Sequence, residues 1–293
     1  MAGFAALFDD VNRTAGITLL PDSAAAVAGG DISQALKIGA TDSQTYFLKL
    51  NSPQHSAMFA AELTGLEELA RAPNLRVPKP IAQGQCEAYA WLLLEWLDLV
   101  PATADAGARL GGALAEMHRI SATQFGWTRD NTIGRTPQLN TPDPDWTAFF
   151  CKQRLAYQLN LAAQNGLTPA VCDLGYGLLE RIPDWFSDYS PVASLVHGDL
   201  WGGNWGCLAD GMPVLFDPAV YYGDRETDIA MTRLFGGFDN RFYRAYVEAW
   251  PLDVGYEKRQ DLYNLYHVLN HYNLFGEHYL AQVRQMLQSL CHS

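Results

Sequence analysis

The stretch that most restricts this chain is Leu195-Val-His-Gly-Asp-Leu-Trp-Gly-Gly-Asn204, followed by Pro213-Val-Leu-Phe-Asp-Pro218. Ala193 to Val196 is a short β-prone run that delivers His197, Gly198 and Asp199 onto a loop. Asn204 comes five residues after Asp199, a turn at Ala209-Asp210-Gly211 reverses the chain, and a second apolar strand ends in Asp217. His-Gly-Asp alone is no more than a turn, but the ordered set is seldom assembled by chance. Phosphoryl transfer to a hydroxyl needs one carboxylate to orient the acceptor and take its proton late, plus oxygen ligands for Mg²⁺ on the ATP phosphates. Kinases supply these as an Asp, a spacer of four, an Asn and a strand-end Asp. The pattern assigns Asp199 as catalytic base and Asn204 and Asp217 as metal ligands. His197 reads as a support packed beneath the loop and bonded to backbone, not as a proton carrier.

The chain has 293 residues and 48% hydrophobic content, enough to bury the core of one large domain or two lobes. A net charge of −12 argues against nucleic acid or an anionic membrane surface as partner, because both are gripped by clustered Lys and Arg. The cysteines (Cys86, Cys151, Cys172, Cys207, Cys291) are scattered, with no Cys-x-x-Cys and no His at metal spacing, which suits reduced thiols and speaks against structural zinc. The N-terminal residues lack the basic region and long apolar core of a signal peptide, and the longest apolar run, Tyr89 to Leu94, is too short to span a bilayer. A cytoplasmic protein is expected.

Phe4 to Arg13 reads as an amphipathic helix with Phe4, Leu7, Phe8 and Val11 on one face. Val27 to Ile38, a turn at Gly39-Ala-Thr-Asp42, and Gln44 to Leu50 carry the pattern of antiparallel strands. Gly29 and Gly30 are either a hairpin turn or a loop whose backbone approaches ATP phosphates, since glycine adopts dihedrals closed to other residues. Their place ahead of Tyr46-Phe-Leu-Lys49 supports the second reading. An Ala-rich helical stretch, Ser56 to Arg71, follows with Glu62 in its first turns. Kinases pair a strand lysine, which holds the α and β phosphates, with a helix glutamate, and Lys49 and Glu62 fit those roles. Glu67 and Glu68 lie elsewhere on the helical wheel and are expected in solvent.

Leu75 to Pro80 is an extended connector, and Ile81 to Gln85 and Tyr89 to Glu95 read as two more strands. The segment after them falls where a hinge between lobes belongs, so the backbone groups of Glu95, Trp96 and Leu97 are candidates for pairing with adenine; a strand that simply ends is the alternative. Ala104 to Ile120 is helical, Gly126 to Asp145 is a long polar surface excursion, and Trp146 to Asn165 and Thr168 to Arg181 are further helices. Only eight residues separate Asp217 from the next helix, which begins by Glu226, and this short connection points to a small-molecule acceptor. Asp228, one turn into that helix, is placed to brace the catalytic loop through backbone N–H groups or simply to complement the helix dipole. Asn240 to Trp250 and Gln260 to Cys291 are helical and aromatic, and within them Asn270, His271 and Asn273 either line a sugar pocket or are satisfied buried polar groups.

His197-Gly-Asp199, Asn204, Asp217 and Gly223-Asp-Arg-Glu-Thr-Asp228 resemble the aminoglycoside and choline kinase-like proteins. Leu200-Trp-Gly-Gly-Asn204, Asp217-Pro-Ala-Val-Tyr-Tyr-Gly-Asp224, Phe235-Gly-Gly-Phe238 and Leu269-Asn-His-Tyr-Asn-Leu-Phe-Gly276 narrow the resemblance to the fructosamine kinase family. With Gly29-Gly30, Tyr46-Phe-Leu-Lys-Leu-Asn51 and Leu94-Glu95 it covers nearly the whole chain. The resemblance implies an α+β, bilobal protein kinase-like fold, here with a small β-rich ATP-binding lobe over residues 1–97, hinge at its end, and a larger helical catalytic lobe over 98–293. It implies ATP and Mg²⁺, and phosphorylation of the sugar 3-hydroxyl of ketosamines, after which the adduct releases its amine (deglycation, a form of protein repair). By the same transfer Trp201 is a platform for the sugar or a core anchor of its loop, and His271 is a substrate-side residue. The cysteine that many relatives carry in the glycine-rich loop is missing from Gly29-Gly-Asp31-Ile-Ser33, so its redox bridge is not expected. A kinase of another small molecule (amino sugar, aminoglycoside, amino alcohol) is the alternative; a pseudokinase is disfavoured by the complete set of Lys49, Glu62, Asp199, Asn204 and Asp217.

Overall fold

The computed structural model describes residues 2–27 and 32–292. The chain opens with helix α1 (Ala2–Ala15) and enters an antiparallel sheet through β1 (Ala25–Ala26), β2 (Gln34–Gly39) and β3 (Thr45–Asn51). Helix α2 (Ser56–Leu69) then crosses to β4 (Pro80–Gln85) and β5 (Ala90–Glu95), and the strand order is β1-β2-β3-β5-β4. The alternation of strand side chains decides what covers each face. Trp91 and Leu93 point outward with Ile38, Leu48 and Leu50, into a cluster closed by Leu7, Phe8 and Val11 of α1. Leu92 and Leu94 point inward, where Phe59, Leu66 and Leu69 of α2 meet them. Because both faces of β5 are covered, its sequence is a continuous apolar run and not an alternating one. The Trp91 indole N–H donates to Asp10 at 2.9 Å, so even the polar edge of that ring is satisfied beneath α1.

After β5 the chain becomes helical. Helix α3 (Ala104–His118) leads to a small hairpin, β6 (Asn131–Ile133) and β7 (Thr136–Gln138), then to α4 (Trp146–Phe150), a π-helical turn at Cys151–Leu155, α5 (Ala156–Gln164) and α6 (Pro169–Arg181). Strands β8 (Ser194–Val196), β9 (Trp205–Cys207), β10 (Pro213–Leu215) and β11 (Tyr221–Gly223) follow, with helices α7 (Glu226–Leu234), α8 (Asn240–Ala249), α9 (Tyr256–Phe275) and α10 (Leu280–His292). Thr103 starts α3 by accepting a hydrogen bond from the Ala106 N–H at 3.2 Å, and Asp145 starts α4 by accepting from the Ala148 N–H at 2.6 Å. No helix among the described residues is long and apolar enough to cross a membrane.

Two expectations fail here. Part of Gly126 to Asp145 is not a surface excursion: Ile133, Thr136, Gln138 and Asn140 are buried. The segment is polar because its amides bond one another and nearby carbonyls in place of apolar packing. Glu68 is not simply solvated either, since it accepts the Tyr222 hydroxyl at 2.6 Å and pairs with Arg71.

Candidate active site

Two short ribbons hold the loop that carries Asp199. β8 pairs with β11 through Val196 and Tyr221, and β9 pairs with β10 through Trp205 and Leu215. Between them the two connecting segments are stitched by the Ala219 N–H to His197 C=O (2.9 Å) and the Phe216 N–H to Asn204 C=O (3.1 Å). At Gly198 φ is +82°, and a Cβ there would lie 2.1 Å from the Ala219 carbonyl oxygen, so only glycine lets the segments pass. Asp228, in the first turn of α7, accepts from the N–H of His197 (2.7 Å) and of Gly198 (2.9 Å), and from His118 Nε2 (3.1 Å). Burial alone would raise the Asp228 pKa, but the hydrogen bonds and nearby imidazoles outweigh it and hold the carboxyl below its ordinary value.

His197 is fully buried, with Nε2 donating to the Phe216 carbonyl at 3.0 Å and Nδ1 facing the Asp199 N–H at 3.3 Å. A carbonyl only accepts and an N–H only donates, so the ring is neutral with its proton on Nε2. Burial, which depresses its pKa, acts in the same direction. Asn204 Nδ2 donates to the Asp199 carbonyl (2.8 Å) and to Asp199 Oδ2 (3.1 Å), which turns its Oδ1 away from the loop; among the described residues Oδ1 has no donor. Asp217 sits at φ +56°, a left-handed conformation that Asp tolerates better than most residues. Its carboxylate binds Lys49 of β3, whose ammonium also donates to Glu62 of α2 at 2.5 Å. Burial disfavours the Lys49 ammonium, but Asp217 and Glu62 outweigh it and hold its pKa well above the usual lysine range.

These groups open into one cavity of about 460 Å³, lined by Lys49, Glu62, Asp199, Asn204, Asp217, Trp201 and His271. At its floor Asp199 is pushed up to about 7, first by burial and then by the Asp217 charge, against the stabilising hydrogen bond from Asn204. Asn204 Oδ1 and the Asp217 carboxylate are hard oxygen donors beside this surplus of negative charge, a donor set that suits Mg²⁺. Trp201 is partly exposed and packs edge-on to Phe235 with ring centroids 6.1 Å apart; His271 lies 4.9 Å from the Phe235 ring and bonds the His267 carbonyl through Nδ1 at 2.7 Å.

Other sites fall differently. Gly29 and Gly30 lie outside the described residues. Glu95, Trp96 and Leu97 do not line the cavity, and the N–H groups of the first two are spent on the carbonyls of Lys79 (2.9 Å) and Thr45 (3.2 Å). That leaves the Leu97 N–H, which has no partner among the described residues, as the donor of the three. The Glu95 side chain binds Arg76. Asn270 lines the cavity and also bonds Gln158, while Asn273 is tied to Gln158 and Asn165. Sequence reasoning missed Asn131 to Gly134, which form another wall; their polar composition carries no periodicity that marks a site.

A family model described as fructosamine kinase matches residues 5–293. The chain belongs to the fructosamine kinase family. Over 282 residues it is 44% identical to a probable ketoamine kinase of Synechocystis, covering 95% of this chain and 93% of the relative. Over 264 residues it is 40% identical to a chloroplastic protein-ribulosamine 3-kinase of Arabidopsis thaliana, covering 89% of this chain and 80% of the relative. A crystal structure of a putative fructosamine-3-kinase from Haemophilus somnus superposes with a TM-score of 0.89 at 27% identity, over 98% of this chain and 97% of the other. An ADP-bound aminoglycoside phosphotransferase shares the fold at a TM-score of 0.64 and 13% identity, over 98% and 99% of the two chains. The family therefore has the α+β, protein kinase-like architecture, with an antiparallel sheet in its N-terminal part and helices in its C-terminal part.

Proposed function

We propose that this member of the fructosamine kinase family transfers the γ-phosphoryl group of ATP to the 3-hydroxyl of ketosamines, the adducts of amines with reducing sugars. The observation that carries the reading is the convergence of Lys49, Glu62, Asp199, Asn204 and Asp217 on one cavity. The family match and the names of the relatives give the acceptor class.

In the transfer, the bond from the acceptor oxygen to Pγ forms as the bond from Pγ to the β-phosphate oxygen breaks, and the hydroxyl proton passes to Asp199. The transition state is loose, so the proton leaves late and a carboxylate is a sufficient base. Asn204 aims Asp199 through its Nδ2, His197 holds the loop from below, and Asp228 fixes the loop backbone. Lys49, oriented by Glu62, neutralises charge on the α and β phosphates. Leu97 N–H pairs with adenine. Asn204 and Asp217 would hold Mg²⁺, which would supply positive charge against the phosphates. Trp201 packs on the sugar and His271 borders it. The phosphorylated adduct then releases its amine, a deglycation step. No helix among the described residues suits a bilayer, and the acidic chain fits an aqueous compartment such as the cytoplasm.

Among the described residues the carboxylates lining the cavity are Glu62, Asp199 and Asp217, each with a role in the transfer. A polycationic acceptor such as an aminoglycoside finds no further acidic partner among those residues, which favours a ketosamine. ADP release with Mg·ATP tests this, using fructose-, ribulose- and erythrulose-amine conjugates against aminoglycosides and choline, with Asp199→Asn as control. Turnover confined to the last two would overturn the substrate.

A further inference from the structure

The hairpin β6–β7 and the residues just after it carry three side-chain amides, Asn131, Gln138 and Asn140, whose hydrogen bonds can be counted to the last proton. Arg154 is fully buried, lies over the Tyr221 ring at 4.1 Å, and has no acidic partner among the described residues. Its Nη2 donates to Asn140 Oδ1 at 2.7 Å. A guanidinium only donates, so this contact fixes which end of the Asn140 amide is oxygen. Asn140 Nδ2 then spends both protons, on the Arg129 carbonyl (3.1 Å) and on Asn131 Oδ1 (2.9 Å). Gln138 Nε2 likewise spends both, on the Ala219 carbonyl (3.0 Å) and on Asn131 Oδ1 (2.9 Å). Asn131 Oδ1 is thus saturated, and Asn131 Nδ2 uses one proton on the Val220 carbonyl at 2.7 Å. Carbonyls of Arg129, Ala219 and Val220 accept only, so each amide orientation is forced independently of the others.

Among the described residues one N–H of the three amides is left over, and it belongs to the one residue of the three that lines the cavity holding Asp199. Gln138 and Asn140 are buried behind it. A cation with no carboxylate, two saturated amides and three carbonyls therefore serve to present a single neutral donor in a set orientation. Building on the kinase reading above, we propose that Asn131 is a specificity-determining residue whose free Nδ2–H donates to an oxygen of the bound acceptor sugar other than the reacting hydroxyl. The anchoring carbonyls of Ala219 and Val220 belong to the segment that begins with Asp217, so the donor keeps register with the phosphoryl-transfer centre.

The test is steady-state kinetics on a fructose–amine conjugate and a series of analogues each lacking one non-reacting oxygen. The wild-type enzyme is expected to lose about tenfold in kcat/KM on one analogue, the size of one neutral hydrogen bond. Asn131→Ala should lose the same factor of about ten on the parent conjugate, lose nothing more on that analogue, and keep the wild-type KM for ATP. If Asn131→Ala does not fold, Asn131→Asp is read for the same loss of discrimination, with its fold checked by circular dichroism, since it keeps the oxygen that Gln138 and Asn140 bond, replaces the free donor and gives up the bond to the Val220 carbonyl. A wild-type enzyme indifferent to every deletion, or a variant that keeps the wild-type discrimination, overturns the proposal. Should the wild type turn over only a polyol that is not a ketosamine, the function reading falls and the same ratio is measured on deoxy forms of that polyol.

Discussion

At the scale of single residues the site has two kinds of carboxylate. Asp228 is held ionised by N–H donors and imidazoles, whereas Asp199, raised to about 7 by burial and the charge of Asp217, is poised to take a proton. A base works only when unprotonated, so kcat/KM of the wild-type enzyme should fall as pH drops through about 7. A pH–rate profile checks this, and a limb no higher than an ordinary aspartate would remove Asp199 as the titrating base. Asp199→Asn should cut kcat by about 10²-fold or more while leaving ATP affinity intact. Asp228→Asn turns one acceptor toward the loop into a donor facing a backbone N–H; we expect a loss of about 2 kcal/mol in urea unfolding and a lower kcat. That Asp199, Asn204 and Asp217 meet at one cavity was legible, because phosphoryl transfer demands those residue types in that order. Asn131 was not, because its role depends on partners at 138, 140 and 154 that no local spacing records.

At the scale of elements the same contrast holds. Helix α3 falls within the helix expected over 104–120, and Leu110, Leu114 and Met117, at helical spacing along it, are all buried. Hairpin β6–β7 was not legible, since its interior is polar and hydrogen bonds do the work that apolar periodicity would have revealed. What the periodicity of α3 does not show is how close its neighbour comes. A Cβ built on Gly111 would lie 2.2 Å from the Phe242 carbonyl oxygen of α8, so glycine sets the distance between these helices. The obstacle is backbone, which cannot swing aside as a side chain would. Gly111→Ala should therefore separate α3 from α8 and destabilise by about 1–3 kcal/mol, although alanine is the better helix former. Equilibrium unfolding in urea measures it. Stability equal to or above wild type would mean that the helices are free to part.

At the scale of the whole molecule, we place the lobe boundary after Leu97, between the end of β5 and the start of α3, as the sequence suggests. Polar ties then join the two parts at Glu68–Tyr222, Asn74–Glu116, Arg76–Pro213 and Ala60–Arg129, and Lys49 of β3, paired with Glu62, adds the one inside the cavity by reaching Asp217. Its ammonium offsets two carboxylates, one of them the largely buried Glu62 of α2, so without it Glu62 is left unpaired. Lys49→Met should lower the stability of the unliganded protein by about 3 kcal/mol, within the range for breaking a buried pair. On the proposed mechanism the same change removes the cation that meets the α and β phosphates. In the wild-type protein Mg·ATP at a hundred times its Kd adds about 2.7 kcal/mol of stability by linkage. The variant should gain far less at that concentration, since its affinity for the nucleotide has fallen. Urea unfolding with and without Mg·ATP separates the two effects: a lower baseline reports the lost pair, and a smaller ligand increment reports the lost phosphate contact. A variant with a lower baseline but the full increment would leave Lys49 as a structural tie between the lobes and take it out of the nucleotide site.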